Sequence, residues 1–478
     1  MKILLIVVFS VAVVWLGALR GFAAFVLGEP FFGRTISSLI SPGRVEPLDA
    51  EMIDRFIAPK RVLIGEESQP SGLNLAQILP FLGAARIIGV GEATHGSHEF
   101  AAVKAELFKE LVVQRGFRVL AIESDFAAIS RVDAIVAGGA GDLGEALAKN
   151  GYWVINTAEL LSLLEWIRLF NAATTHEDRI HLVGMDAQHA WPATLWLRDT
   201  FAQDDILPDF TALIDDGNQL SKLTDQDLAA KIVVWKEGVA DLKARLPLLV
   251  QEAQLTAEDA DLAKQMIVSI ETKLALLTQT DFNTGYALRD GVMADRVDWA
   301  RGLNSDAGVM LWAHNGHIGK GAMAEDGSSG FWLGRQLAQR FGANYYAIGF
   351  QFSGGDFLAH APENLAVTPL IISFVRSLWS SQPFPLRSVT VAPDPAHKLA
   401  TAFSKLGPAP FFVDFNSVEK AGLDFIDRSF PHYEAGAVYV GGQSATWDTS
   451  LVDLFDGVIH FPAVTAARVR SDHLSPSP

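Results

Sequence analysis

Histidines and acidic residues follow four short apolar runs of the sequence, each at the point where the run ends. In chain order these polar residues are Glu92 and His95, Glu123 and Asp125, Asp186 with Gln188 and His189, and His314 with His317. The carboxyl ends of parallel strands meet at one edge of a sheet, which is where α/β proteins bind their ligands. We therefore expect these carboxylates and imidazoles to converge on one site.

Such a set of side chains could activate a water molecule in two ways. It could form a metal-free general acid–base site, or it could bind a divalent metal ion, with His95, His314 and His317 as the candidate ligands. A serine mechanism is disfavoured because the sequence has no Gly-x-Ser-x-Gly nucleophile elbow. Water activated by a histidine is the preferred nucleophile, and this reaction needs no cofactor.

Each of these groups alone has a simpler structural explanation. Glu92 and His95 could cap the helix that is expected to begin near Ser97, since acidic side chains favour helix N-termini. His314 and His317 lie three residues apart in a glycine-containing turn, which favours a functional role more than a lone histidine does. A purely structural explanation does not account for the agreement of all four runs.

The composition excludes several classes of function. The 478 residues carry a formal net charge of −17, which argues against a nucleic-acid partner. Cysteine is absent, so disulfides, thiolate nucleophiles and cysteine-bound metal centres are excluded. Hydrophobic residues make up 49% of the chain, which is enough for a large core. A small-molecule substrate is the partner that fits this composition best.

Six short apolar runs alternate with segments that have helical periodicity, and these runs predict strands. They span 86–91, 118–122, 180–185, 309–313, 345–350 and 437–442. This alternation predicts an α/β fold with a largely parallel β-sheet flanked by helices. Residues 201–300 contain no convincing strand, so they predict a helical insertion beside the active site, with one helix starting at Thr256.

The N-terminus predicts export from the cytoplasm. Residues 3–27 are apolar apart from Arg20, so residues 1–28 are predicted to be either a signal peptide or a membrane anchor. Residues 29–50 include three prolines and predict a linker, and the hydrolytic domain is expected over 51–478. The protein is thus expected to be periplasmic or secreted, with membrane contact only through its N-terminal segment.

Five ordered segments resemble those of the erythromycin esterase family. They read GEATHGSHEF, AIESD, GMDAQ, RDGVMADRVDWA (289–300) and LWAHNGHIGK (311–320). The resemblance spans about residues 51 to 442. It implies an α/β core with a helical insertion, and hydrolysis of an ester or lactone by activated water. In characterised relatives the substrate is a macrolide lactone, which would connect the protein to macrolide resistance.

The resemblance also implies roles for five catalytic residues. His95 would be the general base, with Glu92 orienting it or sharing its proton. Glu123 would be the second essential acid. His314 and His317 would bind or polarise the carbonyl group and handle the proton of the leaving alcohol.

Four further residues would bind the substrate. Arg289 and Lys104 would supply positive charge for the oxyanion. An ordinary solvated lysine on a helix is the simpler interpretation of Lys104. Asp186 and Asn315 complete the substrate-binding set.

The sequence departs from the family pattern at two positions. His98 stands where relatives have arginine, and Arg296 stands where asparagine is common. Both positions are candidates for substrate contact, so the departures weaken the inference of the substrate more than that of the mechanism. Two alternatives stay open: a metal-dependent hydrolase, and a non-catalytic protein that binds haem, a metal or an apolar ligand on the same scaffold.

Overall fold

The computed structural model describes nine stretches of the chain, which together include most of the predicted hydrolytic domain. These are residues 48–65, 72–150, 152–201, 223–279, 282–304, 307–321, 332–362, 384–441 and 446–470. The predicted export segment 1–28 and most of the predicted linker lie outside the described residues. Within the nine stretches, no helix is both long and apolar enough to cross a membrane.

Twelve strands are present in the described part of the chain, and eight of them form one central sheet. In chain order the strands are β1 (Val62–Leu63), β2 (Ile87–Val90), β3 (Phe117–Asp125), β4 (His181–Asp186), β5 (Gly308–Trp312), β6 (Tyr345–Phe352), β7 (Gly355–His360), β8 (Leu386–Val391), β9 (Phe411–Asp414), β10 (Phe430–Tyr433), β11 (Thr446–Thr449) and β12 (Gly457–Phe461). The central sheet has the order β1-β9-β12-β6-β2-β5-β3-β4, while β7 pairs with β8 and β10 with β11.

The central sheet is largely parallel, as the sequence predicts. The six strands from β12 to β4 in the sheet order run parallel, and only β9 and β1 at one edge pair antiparallel. Strands β2 and β5 are buried along their whole length because helices cover both faces of the sheet. This arrangement places the carboxyl ends of β2, β5, β3 and β4 side by side.

Five of the predicted strands match observed ones, but the sixth prediction is wrong. Residues 437–441 form no strand, and Val438 makes only an isolated bridge to His360. Val438 is 51% exposed, so its β-branched side chain is not part of a buried strand. The position beside β6 is taken instead by β12, whose five residues are all buried.

Helices cover the sheet on both faces. The α-helices in the described residues are α1 (Ala50–Met52), α2 (His98–Arg115), α3 (Phe126–Val136), α4 (Leu143–Lys149), α5 (Ala158–Ala172), α6 (Trp191–Phe201), α7 (Asp225–Glu252), α8 (Ala257–Leu276), α9 (Phe282–Ala300), α10 (Asn315–Ile318), α11 (Leu333–Phe341), α12 (Lys398–Ser404), α13 (Lys420–Ile426) and α14 (Leu451–Leu454). Short 3-10 or π turns lie at Ile53–Ile57, Ala58–Lys60, Leu75–Leu82, His176–Asp178, Gly342–Asn344 and Phe415–Ser417.

Three long helices, α7, α8 and α9, occupy the chain between β4 and β5. Thr256 caps α8 by accepting a hydrogen bond of 3.0 Å from the Asp259 amide, at the start that the sequence predicts. Buried Trp235, Met266 and Met293 join these helices to the hydrophobic core. Helix α9 packs against β4, so the described part of the predicted insertion contributes side chains near the carboxyl ends of the parallel strands.

The core consists of two hydrophobic clusters, one on each face of the sheet. Ile87 and Val119 belong to one cluster, whereas their chain neighbours Ile88 and Leu120 belong to the other. Neighbouring residues separate in this way because successive side chains of a strand point to opposite faces. The site is therefore held on a sheet that is packed from both sides.

Candidate active site

The predicted convergence of polar residues occurs at the carboxyl ends of β2, β5 and β3. Val90 and Ile122, near the ends of β2 and β3, both pair with Trp312 of β5. The residues that follow these strands therefore lie together. Glu92 and His95 follow β2, Glu123 lies near the end of β3, and the 314–317 turn follows β5.

The turn between β2 and α2, residues 91–97, carries Glu92 and His95 and is tightly packed. A Cβ atom on Gly96 would lie 2.0 Å from the carbonyl oxygen of Leu358, so only glycine fits there. Ser97 caps α2 by accepting a hydrogen bond of 3.4 Å from the Phe100 amide. We call residues 91–97 the histidine loop.

His95, Glu92 and Lys104 form a continuous chain of contacts. The Glu92 carboxylate accepts from His95 Nδ1 at 2.6 Å and from Lys104 Nζ at 2.7 Å. Lys104 is completely buried and also donates to the Ala313 carbonyl oxygen at 3.1 Å. Lys104 is thus not a solvated lysine on a helix surface. Its charge is directed at Glu92 and is not kept apart for an oxyanion.

The charges in this chain of contacts fix the tautomer of His95. Burial opposes ionisation of Glu92, but Lys104 and His95 outweigh it, so the pKa of Glu92 is lower than its ordinary value. An ionised Glu92 accepts the Nδ1 proton of His95. Nε2 is then the basic nitrogen of the ring, which is the arrangement a general base requires.

Glu123 joins the second part of the site to the strand end of β3. One oxygen lies 3.0 Å from His317 Nε2 and 3.1 Å from an Arg289 nitrogen, and the other accepts from the His314 amide at 2.8 Å. Burial opposes ionisation, yet His317 leads the positive groups that hold the pKa of Glu123 well below its ordinary value. Glu123 is therefore a fixed negative charge that contacts helix α9 through Arg289 and the 314–317 turn through His314 and His317.

His317 lies between two carboxylates. Its Nε2 lies 3.0 Å from Glu123 and 3.1 Å from an Arg289 nitrogen, and its Nδ1 lies 2.9 Å from Asp290. The Tyr286 ring stacks on the imidazole with 5.6 Å between ring centres. Burial lowers the pKa of His317, but Asp290 and Glu123 raise it more, so it is well above its ordinary value. His317 is consequently an imidazolium.

His314, three residues earlier, differs from His317 in its charge state. Its ring centre lies 5.1 Å from that of His95, and its Nδ1 accepts a hydrogen bond from the Gly316 amide at 3.2 Å. Burial, with the nearby His95, lowers the pKa of His314 to about 3. The ring is therefore neutral with its proton on Nε2, which lies 3.6 Å from a Glu434 oxygen.

Arg289 and Asp186 form a two-pronged ion pair beside His317. Arg289 donates to both Asp186 oxygens, at 2.9 and 2.6 Å, and it is only 8% exposed. Gln188 and the Ala187 amide complete the hydrogen bonds of Asp186. Asp186 thus holds Arg289 in place, and the positive charge of Arg289 is shared by Asp186 and Glu123.

Asn315 binds to other parts of the protein. Its amide nitrogen donates to the Phe350 carbonyl oxygen at 2.8 Å and to Glu434 at 2.7 Å, and its oxygen accepts from the Phe350 amide. The residue is 1% exposed. These contacts fix the start of the 314–317 turn, so the structure places Asn315 in a supporting position.

Two important residues, Asp290 and Glu434, were not picked out from the sequence. Asp290 stands next to Arg289 in the RDGVMADRVDWA segment, and that neighbourhood was the available signal. Glu434 follows β10, which belongs to an antiparallel pair outside the main sheet. It is brought to the site because the Ala435 amide donates to the Ala93 carbonyl oxygen at 2.7 Å.

The two residues at which the sequence departs from the family pattern have partners within the fold. His98 contacts the Glu159 carboxylate. Arg296 is 1% exposed and donates to the carbonyl oxygens of Met185 and Asp186 and to the Ser269 hydroxyl. The burial of Arg296 argues against contact with substrate.

The three histidines proposed as alternative metal ligands do not share one centre. In the parts of the chain that the structure describes, no three or more histidine or acidic side chains are placed to hold a metal ion. His317 directs both ring nitrogens at carboxylates, and His95 Nδ1 contacts Glu92. Another histidine–acid pair, His189 with Asp125 at 2.9 Å, lies near the ends of β3 and β4.

The sequence profile of the erythromycin esterase family matches residues 112–464. This chain belongs to the erythromycin esterase family. The matched range contains Glu123, Arg289, His314 and His317, whereas the histidine loop precedes it. The family match thus covers most of the folded chain, and the structure places the histidine loop beside the matched residues.

Individual relatives agree with the family assignment. Erythromycin esterase type I of Escherichia coli is 28% identical over 410 residues, which cover 78% of this chain and 90% of the relative. A solved protein from Bacillus cereus shares the fold with a TM-score of 0.70 and 22% identity, over 89% of this chain and all of that one. An erythromycin esterase mutant, EreC, in its open conformation has a TM-score of 0.54 and 23% identity, over 84% of this chain and 98% of that chain.

Proposed function

We propose that this family member hydrolyses an ester or lactone by attack of a water molecule that His95 activates. The chain of contacts from Lys104 through Glu92 to His95 is the observation that carries this proposal. A histidine whose Nδ1 proton is held by an ionised carboxylate has the arrangement of a general base and its orienting acid.

In the proposed reaction, His95 Nε2 removes a proton from water while the water oxygen bonds to the carbonyl carbon. The C=O bond becomes a C–O⁻ bond of a tetrahedral intermediate. His95 then returns the proton to the leaving alkoxide oxygen as the ester C–O bond breaks. The products are a carboxylic acid and an alcohol, which remain joined in one molecule when the substrate is a lactone.

Glu92 would stabilise the imidazolium that His95 becomes in this reaction. The neutral state of His314 supports the same step, because a charged ring 5.1 Å away would repel the proton that His95 takes up. Lys104 would act by keeping Glu92 ionised. These three residues therefore make proton uptake by His95 favourable without a metal ion.

Arg289 and His317 would neutralise most of the negative charge of Asp186, Asp290 and Glu123, so that these carboxylates repel the oxyanion less. Both are positively charged and buried, and fixed charges act most strongly where water is excluded. An imidazolium held between Asp290 and Glu123 is a weak acid, so the leaving alcohol would receive its proton from His95. The family resemblance implies that His314 and His317 handle the proton of the leaving alcohol. The present proposal gives that step to His95 instead.

A macrolide lactone is the first substrate to test, because the Escherichia coli relative is an erythromycin esterase. The full-length protein would be incubated with the lactone and analysed by mass spectrometry, with and without a metal chelator. We expect the lactone to gain the mass of one water, and chelation to leave the rate unchanged. His95→Ala should lose this activity by about 100-fold or more, the usual contribution of a general base.

His98→Ala is the matched control for this variant. His98 lies three residues after His95, has the same 14% side-chain exposure and also contacts a glutamate. Loss of activity specific to His95→Ala supports the proposal. A folded His95→Ala protein with wild-type activity would contradict it, and an unchanged lactone with every protein would remove the macrolide substrate.

A further inference from the structure

A separate cavity of about 220 Å³ lies between helices α3, α4 and α6. Its wall includes Ala128, Arg131 and Ile135 of α3, together with Asn150 and Trp191. Ser124, which follows Glu123 on β3, donates a hydrogen bond of 3.2 Å to the Asn150 side-chain oxygen. The cavity is therefore connected to the strand that carries Glu123, although the proposed reaction uses none of its wall residues.

Arg131 makes no hydrogen bond, ion pair or ring contact with any residue that the structure describes. The chain has 55 acidic and 38 basic residues, and Arg131 is half-buried in the cavity wall. Arg179 and Arg289, by contrast, each contact two carboxylates. Arg131 thus leaves the planar donors of its guanidinium for a partner from outside the described chain.

Asn150 adds a second donor without a partner. It is 3% exposed, and its side-chain nitrogen has no hydrogen-bond partner in the described protein. With the amide oxygen accepting from Ser124, the amide nitrogen is the atom left to donate. A buried donor is costly unless it is satisfied, so this atom indicates a ligand with an acceptor oxygen.

The other charged groups of the cavity already have partners. Asp142 caps α4 by accepting from the Glu145 amide at 2.8 Å, and Glu145 pairs with Lys149 at 2.6 Å. Half-buried Trp191 and the side chains of α3 provide an apolar surface. The groups without a partner in the described protein are therefore all donors, namely the Arg131 guanidinium, the Asn150 amide nitrogen and the Trp191 indole N–H.

We propose that this cavity binds the carboxylate of a small molecule whose flat apolar body lies against Trp191. Arg131 would pair with the carboxylate, and the Asn150 nitrogen would donate to one of its oxygens. This binding site goes beyond ester hydrolysis and does not require it. The carboxylate can belong to a free acid or to a substituent of the substrate.

Benzoate and its neutral isostere benzamide are the probes, and their binding to the full-length protein is measured by calorimetry. We expect benzoate to bind at least about tenfold more tightly than benzamide, because only benzoate forms an ion pair with Arg131. Arg131→Gln should abolish this preference. Arg168→Gln, at an exposed arginine outside the cavity wall, should leave it unchanged.

The proposal is overturned when wild-type protein does not bind benzoate more tightly than benzamide, or when Arg131→Gln binds it as the wild type does. Asn150→Leu gives a second measurement, in which benzoate affinity should fall while the protein stays folded. Repeating the titration with His95→Ala keeps the result independent of hydrolysis. Competitive inhibition of ester hydrolysis by benzoate would identify a substrate substituent as the source, and binding without inhibition would identify a free acid.

Discussion

His314 and His317 belong to one short turn, and both are buried, yet they carry different charges. Burial lowers the pKa of His314 to about 3. At His317 burial acts in the same direction, but Asp290 and Glu123 outweigh it and raise the pKa well above its ordinary value. One histidine is neutral and the other is cationic.

The difference comes from the acids that each ring contacts. His317 has carboxylates at both nitrogens, whereas His314 packs against His95 and accepts a hydrogen bond from the Gly316 amide. Two residues in the same sequence motif can therefore serve opposite electrostatic purposes. The neutral ring lets the neighbouring base accept a proton, and the cationic ring neutralises the carboxylates on either side of it.

Substitution of Asp290 should have the largest effect on this contrast. Asp290→Asn leaves the buried His317 charge with one carboxylate fewer, so we expect the free energy of unfolding to fall by about 3–5 kcal/mol. The pKa of His317 should fall as well. Denaturant titration gives the first quantity, and nuclear magnetic resonance of labelled histidines gives the second.

Asp295→Asn is the control, because Asp295 lies on the same helix with a 70% exposed side chain paired with Arg340. A surface pair of this kind contributes at most about 1 kcal/mol. If Asp290→Asn behaves like Asp295→Asn in both measurements, the imidazolium assignment of His317 is wrong.

Lys104→Met should have the next largest effect, on the side of the site that holds His95. Lys104 helps to hold the pKa of Glu92 down, so its removal should raise that pKa and leave Glu92 protonated over more of the acidic range. We expect kcat/KM to fall about 10- to 100-fold, with the acid limb of its pH profile moved to higher pH.

Lys109→Met separates this effect from a general loss of helix charge. Lys109 is on the same helix and pairs with Glu106 at 2.7 Å, at a more exposed position. Its pH profile should match the wild type. An unmoved acid limb in folded Lys104→Met would show that Lys104 does not control Glu92.

Glu434→Gln should have the smallest effect and should depend on pH. Burial raises the pKa of Glu434, so the unfolded chain loses this proton at lower pH than the folded protein does. The wild-type protein therefore loses stability as the pH rises from the ordinary glutamate pKa to the raised pKa of the folded state. Above the folded-state pKa this group causes no further change in stability. Glutamine keeps the hydrogen-bonding shape without this loss.

We therefore expect the stability of Glu434→Gln relative to wild type to increase with pH across that window. Activity should fall by about tenfold or less, since Asn315 and His314 lose only part of their support. Denaturant titrations at several pH values measure the first effect. Exposed Glu419→Gln is the control, and a pH-independent difference for Glu434→Gln would contradict the expectation.

The rule that ligands bind at the carboxyl ends of parallel strands was sufficient to predict which side chains converge at the candidate site. It located Glu92, His95, Glu123, His314 and His317, because each directly follows a buried apolar run. The same runs predicted the central strands. Periodicity and spacing are local, so they work where one run makes one strand and one strand end carries the side chain.

Other features depend on contacts between distant parts of the chain. Glu434 reaches the site through a bridge from Ala435 to the histidine loop, and β12 was missed because His460 interrupts its apolar run although it is fully buried. The different charge states of His314 and His317 likewise come from the carboxylates of Asp290 and Glu123, which face the His317 ring. No spacing rule contains this information.

Chemical rescue of His95→Ala tests the central claim most directly. Imidazole would be added to the purified full-length variant during hydrolysis of the lactone, with His98→Ala measured in parallel. We predict that imidazole restores turnover to His95→Ala in proportion to its neutral form and does not accelerate His98→Ala. A His95→Ala variant that is as active as wild type, or that is inactive and accelerated no more than His98→Ala, would contradict the role of His95 as the base.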